Sequence, residues 1–489
     1  MRRNWTCRLL PLLALAAFCS LVCWPVVAQE LPWKQQGKKP EGKPGTLSPR
    51  EMLKLLQVDD SHWELLADGR PQVGEESETL TRLLFRMPRF DPPQWDRWCR
   101  EEADVQELAR DPRPHRASPY LVKGRAQKVE VVDLLPELVP LYEFRQYYRV
   151  TLAVDDAPHP IVVATRAIPA MWKDATTLDE PVRVQAIFLK AGETIDEKTP
   201  LYFVSARLGW YPDKVNQKLG VTDDLVWIAA RGMDISLWDE VRANNGAPIG
   251  ASESECFYQL LARLKGATPA QLKELKPAPF DLAAMLQTPN ELLGEAFTCE
   301  GTARRVQKVS IPEQFRERLG LTHYYEIDLF VPLDNQAIRL SSKPGEKDAP
   351  TFTDGFPTTF CVAQLPEDLE EGENVHTRIR LKGVFFKLWA YQSDYIKKFN
   401  KSQRQPSPLL MGLEPRVVQS EVSASAGPWT SAIVMSVVVL GILGIWFTTW
   451  RASRGDKAYE RKVLRKFTHG SALPGDKLEP PREPDRQDS

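Results

Sequence analysis

The chain repeats itself, and this constrains its fold more than any other feature. Sliding the sequence by 177 residues lays Glu76–Val163 on Glu253–Leu340 without a gap, and 19 of the 88 paired positions are identical. Average composition alone gives about five. Glu76-Ser77-Glu78 meets Glu253-Ser254-Glu255, and Gly124-x-Ala126-x-x-Val129 meets Gly301-x-Ala303-x-x-Val306. With small gaps, Asp59-x-Ser61-x-Trp63 pairs with Asp234-x-Ser236-x-Trp238, and Val182–Lys190 pairs with Ile379–Lys387. Two copies are too few for a solenoid of this period, so the repeat predicts two domains of one design.

Each copy reads helical first and β later. Ser48-Pro49-Arg50-Glu51 joins a cap, a proline in the first turn and a glutamate three residues on, and Thr268-Pro269-Ala270-Gln271 repeats the signal. Leu80, Leu83, Leu84 and Met87 recur at helical spacing, as do Phe257, Leu260, Leu261 and Leu264. Tyr147–Val154 and Tyr324–Val331 alternate apolar and polar residues, and further alternating runs follow. Five short strands with a longer third connection predict a small OB-like barrel in each copy, with Gly124 and Gly301 where the first strand bends. An SH3-like barrel or a small sandwich gives nearly the same strand list. The stretch Ser341–Phe360, rich in Lys, Pro and Gly, is expected as a surface loop of the second copy.

The ends predict an address. Arg2 and Arg3 precede an apolar run over Leu9–Val22, and Val26-Val27-Ala28 suits cleavage before Gln29. Trp429–Trp450 is uncharged, flanked by Trp, and followed by a cluster of Lys and Arg from Arg451 to Lys466. The expected plan is a signal peptide at 1–28, a linker at 29–47, unit 1 at 48–215 with its barrel at about 120–210, and unit 2 at 225–418 with its barrel at about 296–418. A transmembrane helix at 429–450 and a basic, then disordered, tail at 451–489 complete it. The fold class is α+β: a tandem duplication of helices plus a five-stranded OB-like barrel, then one membrane helix. The expected location is the inner membrane, single-pass, with the domains exported and the tail cytoplasmic.

Catalytic signatures are sparse. None of the six histidines has a second His or a Cys at metal-ligand spacing, and no G-x-S-x-G, S-x-x-K or H-E-x-x-H occurs. No catalytic residue, metal site or cofactor is assigned. Net charge is −1, which supplies no general field for nucleic acid. Cys99, Cys256, Cys299 and Cys361 allow three disulfide pairings in an oxidising compartment, of which Cys299–Cys361 with Cys99–Cys256 is simplest; buried thiols fit the same residues. The doubled Asp-x-Ser-x-Trp reads as a helix cap with a plugging indole, or as a ligand contact made once per copy. Copy two alone carries Trp389 and Tyr391 beside Lys397, Lys398, Lys401 and Arg404. Aromatics next to a basic loop suit a binding face for a glycan, an anionic lipid headgroup or an acidic partner.

The Asp-x-Ser-x-Trp stretch, Phe257–Leu261 and Phe385–Tyr391 resemble uncharacterised exported single-pass membrane proteins of planctomycete-type bacteria. That resemblance implies an exported, membrane-anchored chain and brings no activity or site. The expected function is non-catalytic binding or scaffolding of another envelope component, a protein or a glycan. The alternatives are a glycan-binding module and an enzyme with a carboxylate site between the two units.

Overall fold

The computed structural model describes residues 47–71, 75–155, 157–175, 177–334, 336–340, 349–399, 402–413, 415–418 and 435–448. The expected signal peptide at 1–28, most of the expected linker, both ends of the apolar segment and the expected tail lie outside the described residues.

The repeated cap signals become repeated helices. In copy one, α1 (Pro49–Leu55) starts on a Ser48–Glu51 capping box, followed by α2 (Asp60–Glu64), α3 (Glu75–Arg86), α4 (Pro92–Trp98), α5 (Val105–Arg110) and α6 (Val139–Tyr142). After α7 (Asp223–Ala229) and α8 (Trp238–Ala243), copy two has α9 (Ser254–Lys265), α10 (Pro269–Glu274), α11 (Leu282–Gln287), α12 (Glu313–Leu319) and α13 (Asp394–Lys397). Asp104 caps α5 and Asp281 caps α11, 177 residues apart. Each satisfies amides that the first turn leaves without a helical partner.

The strands of copy one are β1 (Pro119–Asp133), β2 (Gln146–Ala153), β3 (Ile161–Thr165), β4 (Glu180–Ala191), β5 (Leu201–Ser205) and β6 (Gly209–Trp210). They run in the order β1-β2-β3-β5-β4-β6, and β1 also pairs with β4. Copy two has β7 (Ala278–Pro279), β8 (Ala296–Ser310), β9 (His323–Pro332), β10 (Ile338–Arg339), β11 (Thr351–Phe352), β12 (Gly355–Val362), β13 (Thr377–Tyr391), β14 (Gln405–Gly412) and β15 (Arg416–Val417). Its large sheet runs β15-β13-β14-β12-β9-β8-β7 with an added β13–β8 pairing, while β10 and β11 pair separately. In both sheets one long strand bends to serve several partners, β1 pairing with β2 and β4, and β8 with β9, β13 and the short β7. It does so at Gly124 and Gly301, where an added Cβ would lie 2.6 Å from the Ala153 carbonyl oxygen and 2.5 Å from that of Phe330. Bulges recur as well, between Ala126 and Lys128 and between Ala303 and Arg305. A second matched pair lies between Phe188 and Lys190 and between Phe385 and Lys387.

Several expectations are corrected. The sheets hold six and seven strands of mixed direction, not five each, with β3–β5 and β12–β14 parallel. The added edges β6, β7 and β15 are two residues long, too short to show alternation. Ser341–Phe360 is not simply a surface loop. It reaches into β12, where Phe356 and Phe360 are fully buried. β12, not the stretch at Ile338, pairs with β9 as β3 pairs with β2. The ungapped match had run across an insertion between the second and third strands.

The membrane helix is corrected too. Within 429–450 the described helix spans 435–448, and its 14 residues rise about 21 Å against a hydrocarbon core of about 30 Å. No helix among the described residues is long and apolar enough to cross a membrane. The single-pass inner-membrane placement and the membrane partner therefore do not stand.

The described residues up to Val418 belong to one compact unit. One apolar core runs from Val105 to Leu413 and takes side chains from both sheets. A second core, from Leu53 to Val204, joins the front helices of copy one to the outside of its sheet.

Candidate functional site

Each copy fixes its long helix to its sheet by a buried ion pair. Lys190 donates to Glu76 at 2.5 Å and to the carbonyls of Ala67 and Arg70. Lys387 donates to Glu253 at 2.6 Å and to the Asn244 carbonyl. Both lysines follow a bulge, which re-phases the strand and turns the amine towards the helix. Burial pushes Glu253 up and Lys387 down, and the bond between them works against both shifts. This clamp sets the start of α9, and α9 forms one wall of a cleft.

The cleft encloses roughly 750 Å³ where the two halves meet. Copy one contributes Phe90, Trp95, Asp96, Arg166, Arg183, Arg207 and Tyr211, and copy two adds Asp234, Glu255, Arg263 and Arg318. The doubled Asp-x-Ser-x-Trp motif explains part of it. Asp59 and Asp234 each accept from the amide two residues on, at 3.1 and 3.0 Å, and Trp63 and Trp238 are buried. The cap-and-plug reading therefore accounts for both copies. Asp234 goes further, pairing with Arg207 and accepting the Trp210 amide at 2.9 Å.

The other two carboxylates of the cleft are also engaged. Arg318 reaches Glu255 at 2.5 Å and Asp96 at 3.3 Å, while Gln185 donates to Asp96 at 2.7 Å. Five guanidinium groups thus face three carboxylates, and every carboxylate is held by an arginine. Arg166, Arg183 and Arg263 make no ion pair with a described carboxylate. Arg166 lies 4.5 Å over the Phe144 ring and Arg183 lies 4.8 Å over that of Tyr211. The Arg263 Nε is buried with no hydrogen-bond partner among the described residues. Burial lowers the pKa of Arg166, opposed by the charge of Glu143; burial, then the charge of Asp234, raises that of the Tyr211 phenol. Two glycines keep the floor low. A Cβ at Gly209 would lie 2.8 Å from the Arg183 carbonyl oxygen, and Gly232 (φ +82°) sits beneath the Arg263 guanidinium.

The residues singled out from the sequence lie elsewhere. Trp389 and Tyr391 are 3% and 4% exposed and stack at 4.8 Å. They are core, and not a platform, because β13 continues through them and pairs with Ser407 and Gln405. Lys397 pairs with Asp394 at 3.0 Å, Lys398 and Arg404 are exposed, and Lys401 is outside the described residues. The aromatics and the cations therefore form no common face. The aromatics that do reach solvent nearby are Tyr395 and Phe399, at 38% and 44%.

Cys99, Cys256, Cys299 and Cys361 are all buried and none is in a disulfide, so neither expected disulfide is present. Cys299 on β8 and Cys361 on β12 lie on strands that do not pair with each other. Burial pushes the Cys99 thiol up to about 12. Among the described residues, no three His, Cys, Asp or Glu side chains are grouped to hold a metal ion.

No protein-family model matches the chain, and no curated protein does. Among solved structures, a single-stranded DNA binding protein from Thermus aquaticus is 8% identical, with 62% of this chain and 92% of that one covered. The TM-score is 0.13, at which the likeness carries no argument.

The cleft arginines were missed because arginine is common on surfaces and no motif marks them. One signal was present. Arg183 and Arg380 are matched positions; the residue opposite Arg380 is Glu300, and the one opposite Arg183 is Lys123.

Proposed function

We propose that the chain is a non-catalytic binding protein whose ligand sits in the cleft between the duplicated halves. One observation carries this reading: each cleft carboxylate is spent on an arginine, while three further arginines make no ion pair with a described carboxylate. A carboxylate enzyme needs one acid or base free to exchange a proton at working pH. A binding site needs unmatched donors and an enclosing wall, and the volume falls in the range of small-ligand sites. Phe90, Trp95 and Tyr211 supply the apolar part of that wall. The test is a thermal-shift screen of neutral and charged small molecules against wild type and Ala167→Trp, whose indole would fill the cleft from an exposed position. A stabilising compound that loses its effect in the variant supports the reading. Stabilisation only by compounds that act equally on both proteins would place binding elsewhere.

A further inference from the structure

Resting on that reading of the cleft, we infer that its ligand carries a phosphate dianion. Three features point the same way. The lining has an excess of two positive charges, and a phosphate monoester carries about −1.5 to −2 near neutral pH. The arginines that make no ion pair with a described carboxylate come from three elements: Arg166 from the loop after β3, Arg183 from β4 and Arg263 from α9. A guanidinium is a planar fork that pairs with two oxygens, and a planar carboxylate is largely used up by one fork. A phosphate presents three terminal oxygens in different directions, which three forks from three sides can share. The floor is built for close approach as well. At Gly209 a Cβ would press on the Tyr211 ring at 3.1 Å and on Asp234 at 3.2 Å, and β15 has Arg416 at the place where β6 has this glycine.

The contrast with copy two shows why this site occurs once. Arg380 stands opposite Glu300 and is neutralised at 2.8 Å. Arg183 stands opposite Lys123, which is itself held by Glu102 at 2.6 Å. Like charges opposite each other on neighbouring strands are unfavourable, and an anion in the cleft relieves that repulsion.

The full chain is titrated by calorimetry with inorganic phosphate, phenyl phosphate and malonate, at fixed pH and salt. Wild type is compared with Arg183→Gln and Arg166→Gln, each first checked for an unchanged unliganded melting temperature. The expected result is one saturable phosphate site per chain, malonate at least tenfold weaker, and at least tenfold loss in each variant. Phenyl phosphate binding tenfold tighter than inorganic phosphate identifies an ester on a ring as the source; equal affinities identify free phosphate. Malonate matching phosphate, unaffected binding in both variants, or no phosphate binding to wild type would overturn the inference. If those failures come with a compound whose effect Ala167→Trp abolishes, the cleft remains a binding site for another class. If no such compound exists either, both readings fall.

Discussion

The two halves keep the same joint and differ in what surrounds it. At Lys190 and Lys387, at Glu76 and Glu253, and at Gly124 and Gly301, residue type and contact are both retained. At the position opposite the matched arginine the charge is reversed, Lys123 in one copy and Glu300 in the other. In the second sheet Arg305 holds Glu326 and Asp328, and Tyr391 at the end of β13 lies close to them. Their counterparts Lys128, Arg149 and Thr151 are half-exposed or exposed, and two of them share Glu130. Positions that hold the fold together stayed fixed after duplication, and charges on its outside were free to change sign.

The largest expected effect lies in the joint. Lys387→Met leaves Glu253 buried without its cation, and removing one partner of a buried pair costs about 3–5 kcal/mol. Lys190→Met should cost less, because Glu76 keeps some solvent contact whereas Glu253 has none. Adding Glu253→Leu to Lys387→Met should recover most of the loss. Urea unfolding measures all three. Equal losses in the two copies, or a loss below about 1 kcal/mol at Lys387, would break the comparison.

Next come the glycines. Gly124→Ala and Gly301→Ala each drive a methyl onto a backbone carbonyl oxygen that is fixed in a sheet, so overpacking should cost about 1–3 kcal/mol in either copy. A neutral result at one of them would mean that its strand bends by some other means.

Much of this frame was legible. The repeat, the capping boxes and the bend glycines are local signals, written in residue type and spacing. The lysine–glutamate joint was half legible: both residues stood in the matched segments, but no spacing rule links a helix start to a strand 114 or 134 residues away. The cleft was not legible, because it depends on which side chains from both halves meet. Trp389 and Tyr391 misled for a physical reason. A strand extended by three residues carries its aromatics into pairing with β14, and the sequence does not say that β14 folds back along it.

Asp328 gives a smaller effect with a sign that tests its burial. Burial is the largest cause raising its pKa to about 6, opposed by Arg305 and reinforced by Glu326 and Glu373; Tyr391 faces it from β13. A raised carboxyl contributes stability that is fully present below its unfolded pKa near 4 and is lost as pH rises through 6. Asp328→Asn, which leaves Arg305 its bond to Glu326, should flatten that fall, worth on the order of 2–3 kcal/mol between pH 4 and 7. Thr151, its counterpart, has nothing to titrate. A slope unchanged in the Asn variant would show that Asp328 is not buried in solution.

The smallest effect comes from giving copy one the charge pattern of copy two. Lys123→Glu places a carboxylate directly opposite Arg183, as Glu300 lies opposite Arg380. It removes a like-charge pair and adds an opposite-charge pair, worth about 0.2–1 kcal/mol together. It also gives up the exposed Lys123–Glu102 bridge at 2.6 Å, worth about the same or less. The net change in urea midpoint should be within about 0.5 kcal/mol of zero. Arg183→Gln should then cost more in the Lys123→Glu background than in wild type, because it now breaks a pair. The sign of that coupling matters more than its size. Positive coupling shows that Arg183 turns back to β1 when a carboxylate is offered there, so its guanidinium faces the cleft only because Lys123 repels it. Zero coupling would mean that the Tyr211 ring alone holds Arg183, and that the difference between the copies at this ladder position has no bearing on the cleft.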